Sequence, residues 1–284
     1  MNKTSLHSDI TTRLAAISDT PDLDASVLIA HVLNKPRTWV MAHPELTLNP
    51  DQQKQLDVSL TRLEKEEPFP YILGHWEFFG LDFDVTPDVL IPRPETELLV
   101  EKAIIWLQES KVRRTIADIG TGSGAIAVSL AVNVPDADIL ATDISPQALQ
   151  VAKRNAKKLG VENRIEFIEC DLLPNKHTFN NNHLPFDLIC ANLPYIPTQT
   201  LSQLSVFGRE PTVALDGGAD GLDLIRRLLN LAPDWLAPNA LILLEIEATL
   251  GMKALGLVSD LLSQAEIHLH QDLTGRDRLL EIRL

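Results

Sequence analysis

From Thr115 onward, short apolar runs alternate with stretches of helical period. "TIADIG" and "ADILATDI" read as strands, and "GAIAVSLAV" and "SPQALQVAKRNAKKLG" as the helices that follow them. Ser145 before Pro146 is a fitting N-cap for the second helix, and Gly160 closes it. "RIEFIEC" and "FDLICAN" are two further strands. This alternation predicts an α/β fold with a mostly parallel sheet covered on both faces. Later, "ALILLEI" reads as another strand, and "AEIHLHQDLTGRDRLLEIRL" as two strands joined by a turn at Thr274-Gly275. That antiparallel C-terminal pair would complete the sheet.

The first third is patterned differently. Leu23, Val27 and Ala30 fall at helical spacing behind Pro21 and Asp22. Asn49-Pro50 starts a helix that puts Leu56, Leu60 and Leu63 on one face, and the two prolines of "EKEEPFP" stop it. A small helical domain over 1–74 is expected, docking a partner or a second domain. Residues 75–92 read as a linking β-hairpin around Gly80, with Trp76, Phe78 and Phe83 inward. Residues 93–284 form the main domain. It opens on "IPRPETE", where Pro94 begins a helix with Glu95 and Glu97 in the first turn and Leu99, Ala103 and Trp106 on the buried face. "NKHTFNNNH" reads as a polar surface loop.

Composition narrows the chemistry. Of 284 residues, 45% are hydrophobic, enough for a large core, and the net charge is −14. That balance argues against a phosphate-gripping nucleic-acid binder, which needs a basic face. Cys170 and Cys190 lack the spacing of a zinc site and read as two buried thiols in a reducing cytoplasm. No apolar run is long enough to span a bilayer, and the polar start "MNKTSLHSDITTRL" holds no signal core. A cytoplasmic protein is expected.

Four strand ends carry polar residues or glycine. The first, "DIGTGSGAIA", places Gly120, Thr121, Gly122, Ser123 and Gly124 between a strand and a helix, where backbone N–H groups can approach a nucleotide. Gly120-x-Gly122-x-x-Ala125 satisfies a loose dinucleotide fingerprint, and an acid two positions before Gly-x-Gly-x-Gly equally resembles the first motif of S-adenosylmethionine-dependent methyltransferases. Asp143 ends the next strand, where a carboxylate can accept both ribose hydroxyls or cap the following helix. Asp171 follows the third strand, either accepting from an adenine amino group beside Leu172 or lying in solvent. "NLPY", Asn192 to Tyr195, follows the fourth. Ligands of open α/β sheets bind on this rim, which makes one pocket of four separate signals. Among the other candidates, Arg93 and Glu97 are expected to tie the hairpin to the main domain. Arg209-Glu210 and Gly217-Gly218 either shape a peptide groove or form a surface turn. Glu245 or Glu247 is expected to be a satisfied rim acid, and His268 and His270 to be exposed on one strand face.

Glycine loop, Asp143 and "NLPY", in this order, resemble the amino-methyltransferases with an Asn/Asp-Pro-Pro-Tyr/Phe signature. "LIPRPETELLVEKA" and "FGREPTVALDGGADGLDLI", with the helical first third, are similar to the bacterial release-factor glutamine-N5 methyltransferases, the HemK/PrmC family. The resemblance implies a Rossmann-like methyltransferase sheet plus a small N-terminal helical domain, and S-adenosyl-L-methionine as cofactor, leaving as S-adenosyl-L-homocysteine. It implies a class-1 peptide chain release factor as protein substrate. Gly120 to Gly124, Asp143, Asp171, Leu172 and Asn192 would surround the cofactor. Asn192, Leu193, Pro194 and Tyr195 would hold the target amide, with Asn192 and Tyr195 catalytic. Leu193 departs from the signature's first proline, keeping a carbonyl but not a fixed φ. A monomer is expected, with no metal and no direct nucleic-acid partner. Rival readings are an adenine-N6 methyltransferase, a ribosomal-protein glutamine methyltransferase, a nicotinamide-dependent oxidoreductase and a binding module with a vestigial pocket.

Overall fold

The computed structural model describes residues 6–110, 112, 114–175 and 185–284. The expected polar loop "NKHTFNNNH" lies, from residue 176 on, outside the described residues. The chain forms two compact units, Met1–Gly74 and His75–Leu284.

The smaller unit comprises α1 (Leu6–Leu14), α2 (Pro21–Leu33), α3 (Arg37–Ala42), α4 (Pro50–Glu64) and α5 (Phe69–Leu73). Its core joins Ile10 and Leu14 to Leu28, Ile29, Val32, Leu56 and Leu60. α4 starts on a reciprocal cap: Asn49 Oδ1 accepts from Gln52 N (2.9 Å), and Gln52 Oε1 accepts from Asn49 N (3.0 Å). One expectation needs correction here. α2 is apolar around most of its circumference, so spacing does not identify its buried side. That side is Ala25, Leu28, Ile29 and Val32, with Ala30 buried beside them, whereas Leu23 is exposed and Val27 only partly buried. The prolines of "EKEEPFP" do end α4, but Pro70 then sits in the first turn of α5, where a missing N–H is harmless.

The larger unit begins with a hairpin of β1 (His75–Phe78) and β2 (Leu81–Asp84). Phe78 and Phe83 join its core. Trp76, expected inward as well, stays partly exposed in this two-stranded ribbon, beside which no third strand lies among the described residues. Then follow α6 (Glu97–Gln108), β3 (Thr115–Ile119), α7 (Ala125–Asn133), β4 (Asp138–Asp143), α8 (Pro146–Lys158), β5 (Ile165–Glu169), β6 (Phe186–Ala191), α9 (Thr198–Leu201), α10 (Asp223–Leu231), β7 (Leu236–Glu245), α11 (Gly251–Leu261), β8 (Glu266–Gln271) and β9 (Asp277–Arg283). The sheet runs β5-β4-β3-β6-β7-β9-β8. Its first five strands are parallel, and β9 lies antiparallel between β7 and β8, as the C-terminal pattern predicts. α10 and α11, which the strand–helix reading leaves unassigned, cover one face.

Strand alternation sorts side chains onto two cores. Ile116 and Leu188 face α6 and α7, while Ala117, Ile119 and Ile189 face α10 and α11. The chain winds outward from β3 through β4 to β5, then returns to β6 on the other side of β3. The gap between β3 and β6 is therefore the topological switch point, where the loops after their carboxyl ends part and leave a cleft.

Candidate active site

A cavity opens at that switch point. Its wall includes Gly120, Thr121, Gly122 and Ser123 after β3, Asp143 at the end of β4 with Ile144 and Ser145 after it, Cys170, Asp171 and Leu172 after β5, and Asn192, Leu193 and Pro194 after β6. The structure thus brings the four sequence signals together.

The glycine loop is held from below. Asp118, fully buried, accepts through Oδ2 from Thr121 Oγ1 (2.6 Å) and from Ala127 N (3.1 Å) at the start of α7. Its Oδ1 is buried without a hydrogen-bond partner among the described residues, and burial pushes the carboxyl up to about 7. Asn155 of α8 straps the loop from the side. Its Nδ2 donates to Ser123 O (2.8 Å) and Asp84 O (3.0 Å), and its Oδ1 accepts from Asp84 N (2.7 Å), so one buried amide joins loop, helix and hairpin. Gly122 has φ +56°, and a Cβ there would meet nothing within 4 Å. Its side-chain-free edge borders the cavity, leaving room for a ligand to come close to the backbone.

Asp143 ties the glycine loop to the start of α8, and the helix cap itself is Ser145. Oδ1 accepts from Ser145 N (2.8 Å) and Oδ2 from Gly122 N (2.9 Å), while Ser145 itself caps α8 through Ala148 N (3.1 Å). A carboxylate has about four acceptor sites, so each oxygen keeps capacity for one hydroxyl of a cis-diol. Burial raises its pKa. Asp171 pairs with Arg227 at 2.6 Å, both half-exposed at the cavity edge, so it is not simply a solvated loop acid. Leu172 takes a left-handed φ of 64°, and its carbonyl accepts from Thr142 Oγ1 (2.6 Å). Cys190 is buried, as expected, but Cys170 is only partly so and lines the cavity. Ile144 is the residue that sequence reading passes over. It is an apolar side chain, 54% exposed, between a strand-end acid and a helix cap, and it offers a face to a flat ring. Gly122, Asp143, Ile144 and Leu172 together could hold a nucleoside: an open backbone edge, a carboxylate acceptor and two apolar faces.

The "NLPY" turn forms a further part of the wall. Asn192 Nδ2 donates to Thr96 Oγ1 at 3.0 Å, Thr96 donates to Glu245 Oε2 at 2.6 Å, and the Tyr195 hydroxyl donates to Glu245 Oε1 at 3.2 Å. Glu245 is therefore the satisfied rim acid, while Glu247 caps the short turn after β7 through Thr249 N (2.8 Å). Tyr195 lies behind Asn192, packed on the α10–α11 side of the sheet, and is not part of the cavity wall. Leu193 is 3% exposed, with its side chain over the glycine loop: a Cβ on Gly120 would come within 3.1 Å of Leu193 Cδ2. Packing thus immobilises the residue that replaces the signature proline. Gly120 also has φ +72°, so Gly120→Ala should cost about 1–2 kcal/mol in backbone strain and push Leu193 aside. A lowered denaturation midpoint together with lost turnover in purified variant would show both effects.

Two further straps frame the wall. Buried Glu210 accepts from Ile91 N (3.0 Å) and from the Arg93 guanidinium, joining the segment before α6 to the one before α10. Arg93, Val89, Val213 and Ala214 from these segments all line the cavity. Glu97 accepts from Phe79 N (2.9 Å), tying the hairpin turn to α6. Gly217 and Gly221 press on the backbone of the "NLPY" turn: a Cβ on either would lie 2.6 Å from Tyr195 Cα or 2.5 Å from Tyr195 O. His268 is exposed beside Glu266, whereas His270 is partly buried and lies 2.7 Å from Glu281. Among the described residues no cluster of three or more His, Cys, Asp or Glu is placed to hold a metal ion. No helix of the described residues is long and apolar enough to cross a membrane.

A methyltransferase-domain family model matches residues 110–225. The fold is shared with the hMettl16 catalytic domain, solved with the MAT2A 3′UTR hairpin 6 (TM-score 0.54, 16% identity, 84% of this chain and 83% of that one). It is also shared with the Thermus thermophilus 16S rRNA N2 G1207 methyltransferase, solved with AdoMet and guanosine (TM-score 0.52, 17% identity, 74% of this chain and 49% of that one). Fold and family model define a methyltransferase domain. A second family model, the PrmC N-terminal domain, matches residues 5–74. The release factor glutamine methyltransferase of Moorella thermoacetica is 42% identical over 94% of this chain and 93% of its own length. That of Coxiella burnetii is 41% identical over 97% and 96%. The chain belongs to the release factor glutamine methyltransferase family.

Proposed function

We propose that this enzyme transfers a methyl group from S-adenosylmethionine to the side-chain amide nitrogen, N5, of the glutamine in the Gly-Gly-Gln motif of class-1 peptide chain release factors. It does so in the cytoplasm, as a monomer, with S-adenosylhomocysteine as product and residues 1–74 docking the substrate. The observation that carries this reading is the position of Asn192: on the wall of the cavity that the glycine loop also lines, with its nitrogen engaged by Thr96 and its oxygen left for a substrate.

The sulfonium of the bound cofactor supplies an activated methyl group. An amide nitrogen is a poor nucleophile, because its lone pair is delocalised into the carbonyl. Asn192 Oδ1 and the Leu193 carbonyl accept the two carboxamide hydrogens, fix the plane of the amide and stabilise positive charge growing on nitrogen. Asp143 would accept the ribose hydroxyls, Asp171 and Leu172 would border the adenine, and Gly120 to Gly124 would let backbone approach the amino-acid end. Pro194 biases Leu193 toward an extended backbone that holds its carbonyl in place. Tyr195 steadies the turn through Glu245. The product nitrogen is acidic enough to give its proton to water, so no general base is needed. An adenine amino group would meet the same two acceptors, but relatives named for release factor glutamine methylation favour the amide.

Labelled-methyl transfer to a purified class-1 release factor tests this. Label should appear on the intact factor and be absent when alanine replaces the Gly-Gly-Gln glutamine. Labelling independent of that glutamine would overturn the substrate assignment.

A further inference from the structure

Behind the amide clamp, three buried or half-buried side chains form a hydrogen-bond chain whose direction chemistry dictates. Glu245, the last residue of β7, is 2% exposed and accepts from both Thr96 and Tyr195. An ionised carboxylate can only accept, and a threonine hydroxyl has one hydrogen to give. With that hydrogen committed to Glu245, Thr96 Oγ1 can only accept from Asn192, whose Nδ2 lies 3.0 Å away. The amide of Asn192 must then turn its nitrogen inward and its oxygen outward. The two ends of an asparagine amide are nearly equal in shape, so only such a network can choose between them.

We propose that Glu245 is a positioning residue for methyl transfer: acting through Thr96, it sets the amide orientation of Asn192 and so presents Oδ1 to the substrate carboxamide. The inference rests on the reading of Asn192 as an amide acceptor given above. A protonated Glu245 would reverse the chain. It could donate to Thr96, freeing the threonine hydrogen for Asn192 and favouring the flipped amide. Asn192 would then offer N–H groups to the N–H groups of its substrate.

The charged and titratable groups around Glu245 are Tyr195 from the "NLPY" turn, Arg278 from β9 and Glu95 from the turn before α6. Burial is the largest influence and, against the hydrogen bonds from Thr96 and Tyr195, pushes Glu245 up to about 7. Tyr195 is pushed well above its ordinary range, chiefly by burial, and remains a neutral donor. The proton on Glu245 is therefore the one that decides the chain's direction near neutrality.

The test is release-factor methylation by the full-length enzyme, with cofactor affinity from calorimetry. Thr96→Val keeps the shape and removes the hydroxyl. It should lower kcat by about tenfold or more, with KM and cofactor Kd within about threefold. Thr96→Ser should recover most of that loss, which a simple packing role would not require. Wild-type kcat should fall between about pH 8 and about pH 6, as Glu245 takes up its proton, and the slope should flatten in Glu245→Gln. Full activity in Thr96→Val, or equal impairment in Thr96→Ser, would overturn the proposal. Should Thr96→Val fail to fold, a Glu245→Gln profile with the wild-type slope would overturn it as well. A wild-type enzyme that leaves the glutamine unlabelled marks failure of the proposed function, which is a different result.

Discussion

Asn192→Ala should reduce turnover by about 100- to 1,000-fold, while cofactor affinity falls far less. In the mechanism proposed above, the alanine removes one of two acceptors for the substrate amide and leaves the glycine loop, Asp143 and Leu172 in place. It also leaves Thr96 without the donor 3.0 Å away. What disappears is alignment of the nitrogen lone pair and compensation of charge growing on it, both of which matter most in the transition state. The loss should therefore fall on kcat, with a smaller change in KM for the release factor. Single-turnover methylation together with calorimetric cofactor binding separates the two. Unchanged turnover would remove the role given to Asn192.

Asp143→Ala should act on the other substrate. Each carboxylate oxygen already holds one backbone donor, Gly122 N or Ser145 N, and has capacity for one ribose hydroxyl. Two hydrogen bonds to a charged acceptor, together worth about 3 kcal/mol, correspond to roughly a 100-fold rise in cofactor Kd. Gly122 also loses the acceptor that fixes its place in the loop. At saturating cofactor, turnover should recover much of the deficit. Asp143→Asn, which keeps one acceptor oxygen, should lie between. A calorimetric Kd equal to that of wild type in Asp143→Ala would end the ribose assignment.

Much of this site is legible in the sequence because each signal is local. The turn after β3 needs positive φ at Gly120, Gly122 and Gly124, and the apolar runs on either side announce a strand and a helix. Asp143 and Asn192 stand out because a polar residue directly after an apolar strand must lie at the strand's end. Parallel connections then bring those ends to one rim. What stays hidden is long-range. Thr96 and Glu245 meet across 149 positions, and Ile91 and Glu210 across 119, and no local pattern links them. The aim of Tyr195 is hidden for the same reason, since its partner belongs to another strand. The buried side of α2 is hidden for the opposite reason. Apolar residues all round it make several stripes equally plausible, and only packing against α1 and α4 selects one.

Leu193 changes how this enzyme would tolerate mutation. A proline stiffens a turn by itself, whatever its neighbours are. Here stiffness is shared with position 120, so the two sites become epistatic. A smaller side chain at 193 would relieve the crowding caused by alanine at 120, leaving only its backbone strain, yet would slacken the clamp. A drifting lineage would therefore have to change these two positions in step, though 73 residues separate them.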